Sequence, residues 1–135
     1  MPSFFIRTYG CQMNERDSEA LACLLVSRGF TQAESEDAAD VILFNTCGVR
    51  DQAERKVMGK VGLMKRLKRQ RPELVLGIIG CMAQNHGRKL LDELPHLDLV
   101  AGTDCLSQIP DLIEECLHGT HGLVATEVSE LLPRA

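Results

Sequence analysis

Two rhythms of apolar residues alternate along this chain. Phe4 to Tyr9 is an aromatic and β-branched run, and from about Asn14 to Arg28 apolar residues recur at helical spacing until Gly29 stops them. The pair then recurs. Val41-Ile42-Leu43-Phe44 reads as a buried strand, and about Asp51 to Gln70 as a helix closed off by Pro72. Leu74 to Ile79 predicts a third strand, Gln84 to Leu94 its helix ahead of Pro95, and Leu97 to Ala101 a fourth strand. Leu106 to Leu117 predicts a last helix before Gly119, with Pro110 in its first turn or bending it.

Strands that alternate with helices, and are themselves nearly continuous in apolar residues, predict a parallel sheet covered on both faces. The expected fold class is therefore α/β: a three-layer sandwich with a four-stranded parallel sheet, flavodoxin/Rossmann-like. The expected strand order is 2-1-3-4, with the strand at 4–9 between those at 41–44 and 74–79. Residues 1–119 read as the domain. Residues 120–135 have no clear period and read as a linker, or as a strand that pairs with something absent.

Length and composition narrow the functional classes. A chain of 135 residues with 44% hydrophobic content can bury one core, so a single domain is expected. Charged residues at 25%, with short and interrupted apolar stretches, exclude both disorder and a membrane span. The opening residues Met1 to Ile6 meet Arg7 too early for a secretory signal, which predicts a cytoplasmic location. In that compartment the six cysteines are reduced thiols, and metal binding or redox chemistry leads. The formal net charge of -4 argues against the whole domain clamping nucleic acid, so any RNA contact must be local.

Three cysteines share one place in the predicted pattern. Cys11 follows Tyr9-Gly10, Cys47 follows Asn45-Thr46, and Cys81 follows Ile79-Gly80, each just past the carboxyl end of a strand. Their separations of 36 and 34 residues are one strand-helix unit each, which brings three thiolates to one rim of the sheet, where ligand sites of open α/β sheets lie. Cys23 and Cys116 sit at helical spacing among apolar neighbours and read as small buried hydrophobes, while Cys105 lies near the rim without the shared register. All-thiolate ligation suits zinc or an iron-sulfur cluster, and the absence of any Cys-x-x-Cys pair departs from typical structural zinc sites. Zinc would want a fourth ligand, for which His86 is a candidate. A cluster on three cysteines leaves one iron open to an outside ligand. Gly10, Gly48 and Gly80 beside the cysteines permit tight turns and close backbone approach.

One charged stretch stands apart. Arg55, Lys56, Lys60, Lys65, Arg66, Lys68, Arg69 and Arg71 supply 8 of the 15 basic residues with no acidic residue between them, and read either as a solvated helix face or as an RNA-phosphate contact. The glycine-rich nucleotide fingerprints and the His-Glu-x-x-His metalloprotease motif are absent.

Three ordered motifs carry a resemblance. Thr8-Tyr9-Gly10-Cys11-Gln12-Met13-Asn14 with Asp17-Ser18-Glu19, then Asn45-Thr46-Cys47-Gly48-Val49-Arg50 with Ala53-Glu54-Arg55-Lys56-Val57, and then Gly80-Cys81-Met82-Ala83-Gln84, resemble the motifs of the methylthiotransferase family. The resemblance runs from about Phe4 to Leu117. Gln12-Met13-Asn14 is most similar to the branch acting on tRNA dimethylallyladenosine, rather than to the threonylcarbamoyladenosine or ribosomal-protein branches.

The resemblance implies a radical-SAM enzyme that converts N6-isopentenyladenosine at tRNA position 37 to its 2-methylthio derivative. It implies that Cys11, Cys47 and Cys81 hold an auxiliary 4Fe-4S cluster that presents the sulfur. A second 4Fe-4S cluster and S-adenosylmethionine are implied for a radical-SAM domain, and a C-terminal domain for tRNA binding at the anticodon loop. The second cluster motif, Cys-x-x-x-Cys-x-x-Cys, is not in this sequence, so the chain by itself is expected to be inactive, with 120–135 leading toward the radical-SAM domain. A zinc-thiolate module and an electron-transfer module are the alternatives from other classes.

Overall fold

A computed structural model of the protein describes residues 2–9, 12–46, 51–80, 88–102, 107–119 and 122–125. The chain runs β1 (Ser3–Tyr9), α1 (Gln12–Ser27), β2 (Thr31–Gln32), β3 (Val41–Thr46), α2 (Asp51–Gln70), β4 (Val75–Gly80), α3 (Arg88–Glu93), β5 (Leu99–Ala101), α4 (Ile109–Leu117) and β6 (Leu123–Ala125). All pairings are parallel, in one sheet of order β2-β1-β3-β4-β5-β6.

The α/β class and the covered parallel sheet stand, but the sheet has six strands and not four. Both additional strands are at the edges. Thr31–Gln32 is two exposed polar residues long, and Leu123–Ala125 lies within the stretch expected to be a linker and pairs with β5. The order is corrected as well. The strand at 41–46, not that at 4–9, is the middle one of its trio, because the outer flank of β1 is taken by β2. The 2-1-3-4 order appears only once that short strand is counted. A two-residue edge strand buries no side chain, so no hydrophobic pattern announces it.

Strand parity sorts the core into two layers. Phe4, Val41, Leu43, Val75, Ile79, Leu99 and Ala101 point to one face, against Leu21 and Leu25 of α1 and Ile109 and Ile113 of α4. Ile42, Phe44, Leu76, Ile78 and Val100 point to the other, against Val57, Val61 and Met64 of α2 and Leu90 of α3. Both β3 and β4 are buried along their whole length, as strands covered on two faces must be.

The helix boundaries follow from local chemistry. Gly29 ends α1 with a left-handed φ of 98°, and its N–H donates to the Val26 carbonyl at 3.1 Å. Pro110 lies in the first turn of α4, where its missing N–H costs nothing. The helix starts at Ile109 rather than at 106, and β5 starts at Leu99 rather than at 97, while α3 is described from Arg88 to Glu93. Residues 84–87 lie outside the described residues.

The N-terminal edge of the sheet is tied down by charge. Asp98 is buried, receives the Leu76 N–H at 2.9 Å and is paired to Lys68 Nζ at 2.5 Å, and Lys68 also donates to the Leu74 carbonyl. Beside it Arg71 pairs with Asp40 at 3.0 Å and donates to the Ala39 carbonyl at 2.7 Å.

Candidate functional site at the carboxyl edge of the sheet

Three adjacent strands end level with one another. Tyr9 is registered with Thr46 across β1 and β3, and Thr46 with Gly80 across β3 and β4. In sequence Cys47 comes directly after Thr46, Cys81 directly after Gly80, and Cys11 two residues after Tyr9. Cys11, Cys47 and Cys81 themselves, with the alternative ligands His86 and Cys105, lie outside the described residues. Among the described residues no three His, Cys, Asp or Glu side chains are placed to share a metal.

The chain direction reverses at this edge. From β1 the chain steps through α1 to β2 on one side, and from β3 through α2 to β4 on the other, with α1 and α2 on opposite faces. The gap between β1 and β3 is therefore the topological switch point, the place where open α/β sheets leave a crevice at their carboxyl ends.

Polar side chains from two of the sequence motifs brace this point. Thr8 and Asn45 are registered partners on β1 and β3. Their side chains rise on the same face and meet Ser18 of α1: its hydroxyl lies 2.8 Å from Thr8 Oγ1, and Asn45 Nδ2 donates to it at 2.8 Å. Asn45 is almost completely buried, so the polar contacts it makes hold a position that no apolar residue of the strand could. On the neighbouring register line Thr46 Oγ1 donates to the Ile79 carbonyl at 2.9 Å, locking β3 to β4.

Gly80 is the residue that lets the strand ends close up. Its φ is +99°, and a Cβ there would meet the Thr46 carbonyl oxygen at 2.4 Å and Asn45 Oδ1 at 2.8 Å. No side chain fits, which is the close approach expected of the glycine before Cys81.

On the opposite face Tyr9 stacks on Phe44, with centroids 6.4 Å apart, and burial pushes its hydroxyl above the usual tyrosine range. Near it Glu36 bridges Arg7 and Lys60, each at 2.9 Å. Burial alone would raise the Glu36 carboxyl, but hydrogen bonds from Lys60 and Arg7 outweigh it and hold the group below the ordinary carboxylate range.

The two remaining described cysteines part company. Cys116 is buried as expected, its Sγ–H directed at the Asp98 carbonyl at 3.6 Å, and burial with the nearby Asp98 charge pushes its thiol up to about 12. Cys23 is exposed, contrary to its reading as a core hydrophobe. Positions 20–26 of α1 are apolar without a break, so the pattern carries no phase, and Cys23 falls on the side of the helix away from Leu21 and Leu25.

What sequence reasoning missed was the Thr8-Ser18-Asn45 brace. All three residues lie inside the quoted motifs, but a hydroxyl on a helix carries no signal of the strands it will meet.

Fold and edge together define a Rossmann-like parallel α/β domain in which three motif segments run out at one end of the sheet. Within that class, residues 3–102 match the uncharacterized protein family UPF0004, and the chain belongs to it. Its curated relatives include the tRNA-2-methylthio-N(6)-dimethylallyladenosine synthases of Akkermansia muciniphila, 56% identical over 103 residues, and of Opitutus terrae, 52% identical over 109. That of Dictyoglomus thermophilum is 44% identical over 127 residues. These alignments cover 76%, 81% and 94% of this chain but only 22%, 23% and 29% of the relatives, so the chain spans about a quarter of their length. The resemblance to the methylthiotransferases read from the three motifs is borne out. No described helix is long and apolar enough to cross a membrane.

Proposed function

We propose that residues 1–119 are the auxiliary iron-sulfur domain of a cytoplasmic tRNA methylthiotransferase, that Cys11, Cys47 and Cys81 hold its 4Fe-4S cluster, and that 120–135 leads toward a radical-SAM domain. The observation that carries this is the register Tyr9–Thr46–Gly80, which levels the three strand ends from which the three cysteine segments depart. Two of those strands flank the switch point, where ligands of this fold class bind. The donor set fits the group: separate thiolates with no Cys-x-x-Cys knuckle suit iron-sulfur ligation better than a structural zinc site.

When bound, such a cluster supplies soft iron, with one position free of protein ligands and open to an external sulfur. The chain's own residues do the holding. Gly80 lets the β4 segment pass against the Thr46 carbonyl, and the Thr8-Ser18-Asn45 brace keeps the ends of β1 and β3 at a fixed spacing. Hydrogen bonds behind the ligand-bearing segments are what keep ligands in position. The relatives' names support the substrate: the longer protein would convert N6-isopentenyladenosine at tRNA position 37 to its 2-methylthio derivative, using a second 4Fe-4S cluster and S-adenosylmethionine in its radical-SAM domain and a C-terminal domain for the tRNA anticodon loop. The 135-residue chain lacks the second cluster motif and is inactive on its own in this reading.

The test is anaerobic reconstitution followed by absorption and metal analysis. Wild type should take up about four irons per chain and show the broad visible absorption of a cluster. Cys11→Ala, Cys47→Ala and Cys81→Ala should each lose it, while Cys23→Ala and Cys116→Ala keep iron near the wild-type level. Full iron in Cys47→Ala, or stoichiometric zinc without visible absorption in wild type, would overturn the assignment.

A further inference from the structure

We infer that the outward face of α2 is an RNA docking surface that grips a phosphodiester backbone. The inference rests on the reading above, in which the chain belongs to an enzyme that acts on tRNA.

The cations of α2 are sorted by face. Those on its flanks and at its end are neutralised within the chain: Lys60 by Glu36, Lys68 by Asp98, and Arg71, just beyond the helix, by Asp40. Arg55, Lys56, Lys65, Arg66 and Arg69 are exposed and make no ion pair with any described residue. The concentration is strong for a chain whose net charge is -4: positions 55–71 hold 8 of the 15 basic residues and no acidic one, leaving 7 basic residues against all 19 acidic ones elsewhere. Potentials of opposite sign are thus separated on one small domain, the footprint of a localised anion-binding face.

Geometry makes this face more than a solvated one. Arg55, Gly59, Gly62, Arg66 and Arg69 follow each other by four, three, four and three residues, so they form one stripe, directly opposite the buried Val57, Val61 and Met64. At 1.5 Å per residue the stripe is roughly 21 Å long. Among the described residues nothing lies within 4 Å of where a side chain would begin at Gly59 or Gly62. Glycine in an exposed helix interior is unfavourable, and no contact with a described residue explains two of them on one stripe. At Gly62 there is a shallow depression, lined also by Leu63, Lys65, Arg66 and Arg69, into which a backbone can come close to the helix between flanking guanidinium groups. The face has no aromatic residue, and its one exposed large apolar side chain is Leu63 at 75%, Met58 beside the stripe being partly packed on the core. A protein partner would want buried aromatic or aliphatic anchors at the centre of the contact, whereas a phosphate backbone wants cations and close approach.

The test is fluorescence anisotropy of the 135-residue chain with a labelled anticodon stem-loop hairpin, titrated between about 50 and about 200 mM KCl. The triple variant R55Q/R66Q/R69Q should weaken binding about tenfold or more and reduce the slope of log affinity against log salt by roughly 2 to 3, as loss of three phosphate contacts requires. Lys89→Gln, an exposed cation on α3, should change neither. Unchanged affinity and slope in the triple variant would overturn the surface. So would a wild-type chain that ignores the hairpin but binds a polyglutamate peptide, the result expected of an acidic protein partner. Iron content, measured on the same reconstituted samples, separates this inference from the reading it rests on. Normal iron with an unaffected triple variant removes the surface alone, and lost iron with the predicted salt response removes the cluster assignment alone.

Discussion

The buried amide of Asn45 on β3 donates to the hydroxyl of Ser18 on α1 at 2.8 Å, and that same hydroxyl is 2.8 Å from Thr8 Oγ1 on β1. One helix hydroxyl thus joins the two strands that flank the switch point, at positions that precede Cys11 and Cys47 in sequence by three and two residues. The geometry makes Ser18 a positioning residue for the carboxyl edge.

Ser18→Ala should therefore lower the stability of the domain by about 1 kcal/mol, the usual cost of removing one partner from a buried hydrogen-bonded group. Urea unfolding would measure it. The reconstituted variant should also release iron to a chelator faster than wild type. A variant with unaltered stability and unaltered release would show that the brace holds nothing in place.

The two described free thiols should differ sharply in alkylation. Cys23 is exposed and should react with iodoacetamide near pH 8, whereas burial holds the Cys116 thiol up to about 12 and only about one molecule in ten thousand carries its thiolate at that pH. Site-mapped mass spectrometry would resolve the two. The same shift sets a pH trend. An unfolded chain ionises Cys116 from its ordinary value of 9.0, while the folded chain keeps the proton until about 12, so this group's contribution to stability is present below pH 9.0 and is lost as pH rises above it. Alkylation of Cys116 at the rate of Cys23 in the native protein would contradict the placement.

Gly59→Ala and Gly62→Ala should each stabilise the protein by about 0.5 to 1 kcal/mol, because helical alanine costs less chain entropy and no described residue opposes the added methyl. Thermal unfolding would show it as a raised midpoint. A lowered midpoint would mean that α2 is packed against something at these positions.

Asp98→Ala should be the most damaging of these changes, at about 3 kcal/mol or more. It strands Lys68 beside a buried edge and removes the acceptor of the Leu76 N–H. Asp98→Asn, which retains an acceptor for that N–H, should cost less. Equal stability of the two variants in urea would show that the hydrogen bond from the Leu76 N–H contributes nothing.

Sequence alone determined what repeats and what is chemically singular. Near-continuous apolar runs at 41–44 and 74–79 declared strands buried on both faces, and Gly29, Pro72 and Gly119 marked where helices had to stop. That three cysteines follow three apolar runs was legible for the same reason, although the first interval spans α1 and the unannounced strand β2 and the second spans α2 alone. Tertiary structure decided everything that depends on which neighbour a residue meets. The edge strands β2 and β6 are only two and three residues long, so only pairing with β1 and β5 makes them strands, and the place of β2 beside β1 moved β3 to the centre of its trio. The phase of α1, hidden by an unbroken apolar run, was settled by which side packs on the sheet, and this put Cys23 in solvent. The split of the basic stretch into cations paired inside the chain and cations facing outward needed Glu36, Asp40 and Asp98 to be brought to it from distant positions. Periodicity is a local property of the chain, but burial, pairing and charge compensation are properties of contacts between distant segments, and only the folded arrangement creates them.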